Sequence, residues 1–173
     1  MANHLYPGER SIFKRLYLLL IFIFALILLS FSQLKAQNPV LLEKYLLEEG
    51  MENTVYLQSL VYDNIPSIII SNDGVKEVKA GYPQKASVDA SALGAISQAN
   101  DIFRTVKLLQ INIASEQDKA GLRLRPELLN NFFNLYYILI NSSVPLSQAE
   151  VSGMVSGFEE GQYIILFSVN SIM

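Results

Sequence analysis

Apolar side chains follow one another almost without a break from Leu16 to Phe31, sixteen positions that no charge interrupts. Arg10, Lys14 and Arg15 precede them, and Ser32-Gln33-Leu34-Lys35-Ala36-Gln37 follows. Positive, then apolar, then short and polar is the order of a segment that addresses a chain to a membrane for export. Such a run has no polar face to show to water, which argues against a buried core helix. A spanning helix needs roughly 20 apolar residues and a signal-peptide core about 7 to 15, so this segment stands between the two. Two outcomes stay open: cleavage after Ala36, leaving Gln37 as the new N-terminus, or a retained single-pass anchor held in the bilayer through residues 12–32. Leu34 departs from a good cleavage site, because the peptidase prefers a small side chain there. In both cases the basic residues keep the N-terminal end cytoplasmic and the remainder is exported. The predicted organisation is a leader or anchor over residues 1–36 and a single exported α/β domain over 37–173.

Beyond the leader the pattern alternates between helical and extended periods. Asn38-Pro39 reads as a helix start, with Leu41, Leu42, Tyr45 and Leu46 on one face and Gly50 as the stop, giving a helix over 39–49. Thr54 to Tyr62 is rich in β-branched and aromatic residues and reads as a strand. Asp63-Asn64 turns the chain into a second strand, Ile65 to Ile70. Asn72-Asp73-Gly74 predicts a tight hairpin, because Asp-Gly tolerates positive φ angles. Val75 to Gly81 would be a weaker third strand at an edge, and Tyr82-Pro83 closes an antiparallel meander.

From Asp89 onward helix and strand signals take turns. A small-residue helix, Ala90 to Ala99 capped by Asp89, leads to a strand from Val106 to Ala114. Pro126 opens a helix through Phe132, followed by a strand from Leu135 to Asn141. Ser147-Gln148-Ala149-Glu150 is a capping box that starts a helix running to about Phe158. Tyr163 to Val169 is the last strand. Three helix–strand units in succession favour right-handed crossovers and parallel pairing, and the strands are apolar enough to be buried. The expected fold class is α/β (α+β): a mixed sheet, antiparallel in its first half and parallel in its second.

Ile111, Ile138 and Ile165 lie 27 residues apart, as do Ile113, Ile140 and Phe167. Leu129, Phe132, Leu135, Ile138 and Ile140 follow the spacing L-x-x-L-x-x-L-x-x-L-x-L, which resembles a leucine-rich repeat unit. The resemblance covers residues 129–140. It implies short parallel strands on one sheet, whose exposed positions bind a partner. The neighbouring copies depart from the pattern at Thr105 and Gln162, the best copy has Ser143 where an asparagine is expected, and apolar strands aligned with one another would give the same spacing.

Composition narrows the chemistry. Losing the leader removes four of the 13 basic residues (Arg10, Lys14, Arg15, Lys35) and one of the 16 acidic ones (Glu9), leaving a net charge of −6. Nucleic acid is an unsuitable partner for such a surface. The local basic group Lys119, Arg123 and Arg125 reads as a solvated face. The chain has no Cys, and its single His is His4 inside the leader. A lipid anchor through cysteine, disulfides, zinc sites of the usual kinds and triads using His are thereby excluded from the exported part. No catalytic, cofactor or metal residue is predicted.

Weaker motifs remain. Gly153-Met154-Val155-Ser156-Gly157 has the composition of a nucleophile elbow, but its serine is off centre, in an expected helix. Gly153, Gly157 and Gly161 have G-x-x-x-G spacing, which here means close helix packing at most, and Gly161 reads as the helix stop. Asp73-Gly74 lacks the series of a calcium loop. Asn141-Ser142-Ser143 fits the N-glycosylation pattern. Among the seven tyrosines of the exported part, Tyr136 and Tyr163 are candidates for a binding surface. The resulting expectation is an exported, non-catalytic interaction or accessory module of the cell envelope with a protein or glycan partner. Two alternatives stand beside it: a glycan-type hydrolase using two of Asp118, Glu127, Glu159 and Glu160, and a single-pass subunit of an envelope complex.

Overall fold

Seven strands hydrogen-bond into one mixed sheet in the computed structural model: β1 (Val40–Leu41), β2 (Ser67–Ser71), β3 (Gly74–Val78), β4 (Lys85–Asp89), β5 (Leu108–Ile113), β6 (Tyr137–Ser142) and β7 (Ile164–Val169). Their order across the sheet is β1-β7-β6-β5-β4-β2-β3. The structure describes residues 17, 19–21, 38–98, 101–159 and 161–170. The chain divides into two compact units, Met1–Lys35 and Ala36–Met173. In the first unit Tyr17 and residues 19–21 are helical with exposed side chains. The rest of the leader and the cleavage residues Ala36 and Gln37 lie outside the described residues. No helix among the described residues is long and apolar enough to cross a membrane.

In the second unit the four strands β4 to β7 lie side by side in chain order, all parallel, with Lys85, Leu108, Tyr137 and Ile164 in one register row. Short helical segments connect them: 3-10 helices at Ala90–Ser97, Asp101–Thr105 and Pro126–Leu129, and α-helices α3 (Glu116–Gly121) and α4 (Gln148–Met154). Alternate strand residues share a face, so the isoleucine rows all point one way. Ile68, Ile70, Val88, Ile111, Ile138, Ile140 and Phe167 pack there against Leu93, Ile96, Phe103, Leu129, Val151 and Met154 of the connections. Phe103 and Phe132 stack with ring centroids 4.8 Å apart. The opposite face carries a second, smaller core. Leu108, Tyr137, Leu139 and Leu166 are covered by Leu42 and Tyr45 of α1 (Leu42–Glu48) and Leu57 and Leu60 of α2 (Met51–Tyr62).

Several expectations are met. The hairpin joins β2 to β3 antiparallel, with β3 at the sheet edge, and the parallel second half is present. The capping box forms, with Ser147 and Glu150 each bonding the other's backbone amide. Pro126 occupies the first turn of its helix, which is a single 3-10 turn ending at Leu129 instead of Phe132.

Other expectations need correction. Residues 54–62 are not a strand but most of α2, so the meander reduces to one hairpin. Thr54, Leu57 and Leu60 are its buried residues by spacing, a helical period that outweighs the weak strand preference of β-branched side chains. The first helix starts at Leu42, and Leu41, not Asn38, stands at its N-cap. Val40 and Leu41 instead pair with Leu166 and Phe167. Gly50 does not stop a helix in left-handed geometry; with φ of −62° it stands at the N-cap of α2. In the hairpin the expected Asp-Gly pair takes a positive φ at Gly74 (119°) but not at Asp73. The strand β4 was not foreseen, because Lys85-Ala86-Ser87-Val88-Asp89 is short and half polar. The helix expected from Ala90 is 3-10 and ends at Ser97, and Asp89 makes no side-chain cap bond to it. α3, capped by the Ser115 side chain, was also missed. α4 ends at Met154, since Val155 leaves the helix to form a parallel bridge with Leu124.

Candidate functional site

Along β4 to β7, the face under α1 and α2 changes character from one end to the other. Its first row is Lys85, Leu108, Tyr137 and Ile164; its second is Ser87, Gln110, Leu139 and Leu166; its third is Asp89, Asn112, Asn141 and Ser168. The helices pack on the apolar members of the first two rows. The third row, at the C-terminal ends of the strands, is wholly polar. In open α/β sheets ligands gather at this end of the strands.

These polar side chains hold one another in place. Gln110 Nε2 donates to Asn112 Oδ1 at 2.8 Å, and Asn112 Nδ2 donates to Ser87 Oγ at 2.9 Å. Ser168 Oγ and Asn170 Nδ2 both donate to Asn141 Oδ1 at 2.9 Å. Among the described residues no acceptor meets Asn141 Nδ2 and no donor meets Gln110 Oε1. Both groups are half-buried and line a cavity of about 200 Å³ between the sheet and the two helices. Lys85 lies in the same wall. Its ammonium donates to the Val61 carbonyl at 2.9 Å, and burial lowers its pKa. Glu43 and the exposed Tyr62 complete the rim.

A second cavity, of about 360 Å³, lies beside α3 and α4. Lys119 Nζ sits there 2.6 Å from Glu116 and 3.3 Å from Glu150, and donates to the Pro145 carbonyl at 3.1 Å. Lys119 is 17 % exposed, so this member of the basic group is engaged and not solvated. Its pKa is raised, first by the hydrogen bond to Glu116. That of Glu150 is lowered, first by the bonds from the Ser147 hydroxyl and amide. Arg123 bonds the Ala120 and Leu122 carbonyls.

The residues singled out in the sequence are dispersed. Tyr136 is 54 % exposed and meets Tyr137 edge-on at 4.7 Å, near the α1 side of the sheet. Tyr163 meets the Phe158 ring at 5.7 Å and packs on the crossover-side core, whereas Tyr136 belongs to neither core. Asp118 accepts from the Ala114 amide and the Ser115 hydroxyl at the start of α3. Glu127 and Glu159 are exposed, and Glu160 lies outside the described residues. Among the described residues no three acidic or imidazole groups stand together to hold a metal ion. Ser156 is not helical; it is exposed in the loop after α4, its amide bonded to the Leu124 carbonyl. Only Gly153 of the three spaced glycines lies in α4. Gly157 takes φ of 81° close to Pro126, and Gly161, with φ of 82°, lies in a turn beyond the helix. Asn141 of the glycosylation pattern lies inside β6, with its carbonyl oxygen already holding two bonds.

Ser87, Gln110, Asn112 and Ser168 escaped sequence reading. Their one signal is the alternation of Gln110 and Asn112 within an apolar strand, which acquires meaning only once the register sets four strands abreast. No protein-family model, curated protein or solved structure matches the chain.

Proposed function

We propose that this chain is an exported, non-catalytic interaction module of the cell envelope that takes its partner at the polar end of strands β4 to β7. One observation carries the reading: Asn141 and Gln110 are held by neighbours yet keep a donor and an acceptor unpaired at a cavity wall. Half-buried polar groups normally find partners, and a ligand supplies them here. Strands stacked in chain order, with their connections on one face, also suit the leucine-rich-repeat-like use of exposed strand positions. Export rests on the basic and apolar opening of the chain, and places the module in the periplasm, outside the cell, or on the outer side of a membrane through residues 12–32.

The test is capture of partners from the native envelope by the full chain, compared with Asn170→Arg at the cavity mouth and Glu127→Arg elsewhere. Capture that fails only for Asn170→Arg supports the reading; capture that survives it, or no capture at all, overturns it. Mass spectrometry of the native N-terminus separates a chain beginning at Gln37 from an anchored one that keeps Met1. The hydrolase alternative would need two of Asp118, Glu127, Glu159 and Glu160 facing one cavity; Asp118 is held by the Ala114 amide and the Ser115 hydroxyl at the start of α3.

A further inference from the structure

Resting on that binding surface, the geometry points to its ligand: the cavity between α1, α2 and the polar strand ends takes one uncharged, hydroxyl-rich unit of a glycan, with Asn141 Nδ2 donating to it and Gln110 Oε1 accepting from it. Size sets the first limit. Pockets for drug-sized ligands run from about 300 to 1,000 Å³. This one is about 200 Å³, which suits one unit of a chain better than a nucleotide or large cofactor.

Chemistry sets the second. Each side-chain amide offers both a donor and an acceptor, and so does each hydroxyl of Ser168 or of a sugar. A ring bearing adjacent hydroxyls can therefore meet Asn141, Gln110 and Asn170 with matched bonds. The exposed Tyr62 ring at the rim offers apolar surface to the C–H edges of such a ring. Charge sets the third limit. Among the described residues Lys85 is the one cation in the wall; its ammonium is engaged by the Val61 carbonyl, and Glu43 stands at the rim. An anionic ligand would gain one occupied cation and meet a carboxylate. An extended peptide is disfavoured for a different reason. It binds sheets by pairing its backbone with an open edge, whereas β5 and β6, the inner strands that supply Gln110 and Asn141, have none.

The experiment presents full-length protein, in detergent, to arrays of neutral oligosaccharides, uronic-acid or sulfated oligosaccharides, and tripeptides, and then measures Kd for the retained compound. Neutral sugars are expected to bind. Gln110→Met, nearly the same shape without the amide, is expected to weaken binding about tenfold and, because the bond to Asn112 is also lost, to lower the unfolding temperature by a few degrees while the chain stays folded for the measurement. Asn141→Asp keeps the one oxygen that accepts from both Ser168 and Asn170 and replaces only the free donor. A hydroxyl can turn its own proton toward the new carboxylate, so the loss should stay within about threefold. A carbonyl or carboxylate ligand would lose its donor and meet a negative charge, so a large loss there overturns the proposal. Preference for acidic sugars or tripeptides, or unchanged binding in Gln110→Met, also overturns it. If no sugar is retained but envelope capture still depends on Asn170, the ligand class is wrong and the binding surface stands. If both fail, both readings fall.

Discussion

On the crossover face, β5 buries Leu109, Ile111 and Ile113 from one end to the other; on the opposite face the same strand runs Leu108, Gln110, Asn112. β6 repeats the contrast, with Ile138 and Ile140 against Tyr137, Leu139 and Asn141. Strand period assigns residues to the two sides equally, so the difference comes from what covers each. The connections between strands return over one face and require apolar side chains along nearly all of it, the exception being buried Ser142, whose hydroxyl donates to the Val144 carbonyl. α1 and α2 reach only part of the other face, and polar residues begin where that cover stops. The sheet therefore has a structural side and a side with hydrogen-bonding capacity to spare.

Placing an amide on each side in turn tests this contrast most severely. Ile140→Asn buries a polar group beside Ile111 and Phe167, its register neighbours, and should remove about 4 kcal/mol or more from the unfolding free energy measured in urea. That is a large share of the roughly 5–15 kcal/mol typical of a domain, so a molten or insoluble product is also consistent. A variant that unfolds near the native midpoint would mean that the crossover face is looser than its packing implies. Leu57→Ala, which opens the helix-covered core, should cost about 2–4 kcal/mol by the same measurement. A loss below about 1 kcal/mol would show that α2 is weakly seated and that the polar face extends further.

How far this division was legible in the sequence depends on the side. The isoleucine rows of β5, β6 and β7 carry their own signal, since apolar residues at alternate positions are visible without a structure. The parallel half of the sheet, the hairpin at Asn72 and the capping box at Ser147 were legible for the same reason: each is written in a few adjacent residues. The helix-covered face was not. Tyr56 and Val55 suggest a strand by type, and only the spacing of Leu57 and Leu60, which bury against strands far along the chain, makes the segment a helix. β4 needs β2 and β5 on either side before its five residues read as a strand. The candidate site is less legible still. Asn112 and Ser87 are 25 residues apart, and Ser168 and Asn141 are 27 apart. The tyrosines drew attention by type instead; Tyr163 packs on the crossover-side core and Tyr136 is largely exposed.

Asn141→Leu probes the polar side with the opposite change. It removes the acceptor of Ser168 and Asn170 but adds an apolar group beside Leu139's helix cover. A loss of about 1–2 kcal/mol is expected, well below that of the neighbouring Ile140→Asn. Equal losses at residues 140 and 141 would erase the distinction between the faces.

The smallest effect concerns Lys85, the cation held beneath α2. Burial lowers its pKa from the ordinary 10.5, so the unfolded chain binds its proton more tightly than the folded one. Between the lowered folded value and 10.5 the unfolded state therefore carries more protons, and folding stability from this group rises with pH across that window. Below the window the buried charge weighs against folding, offset in part by the bond to the Val61 carbonyl. Lys85→Met removes the titration, so urea unfolding of the native chain and the variant should diverge in slope against pH only toward the alkaline end, with the native chain gaining relative to the variant. Parallel slopes would mean that water reaches the ammonium freely, and that the helices leave even the first row of this face open.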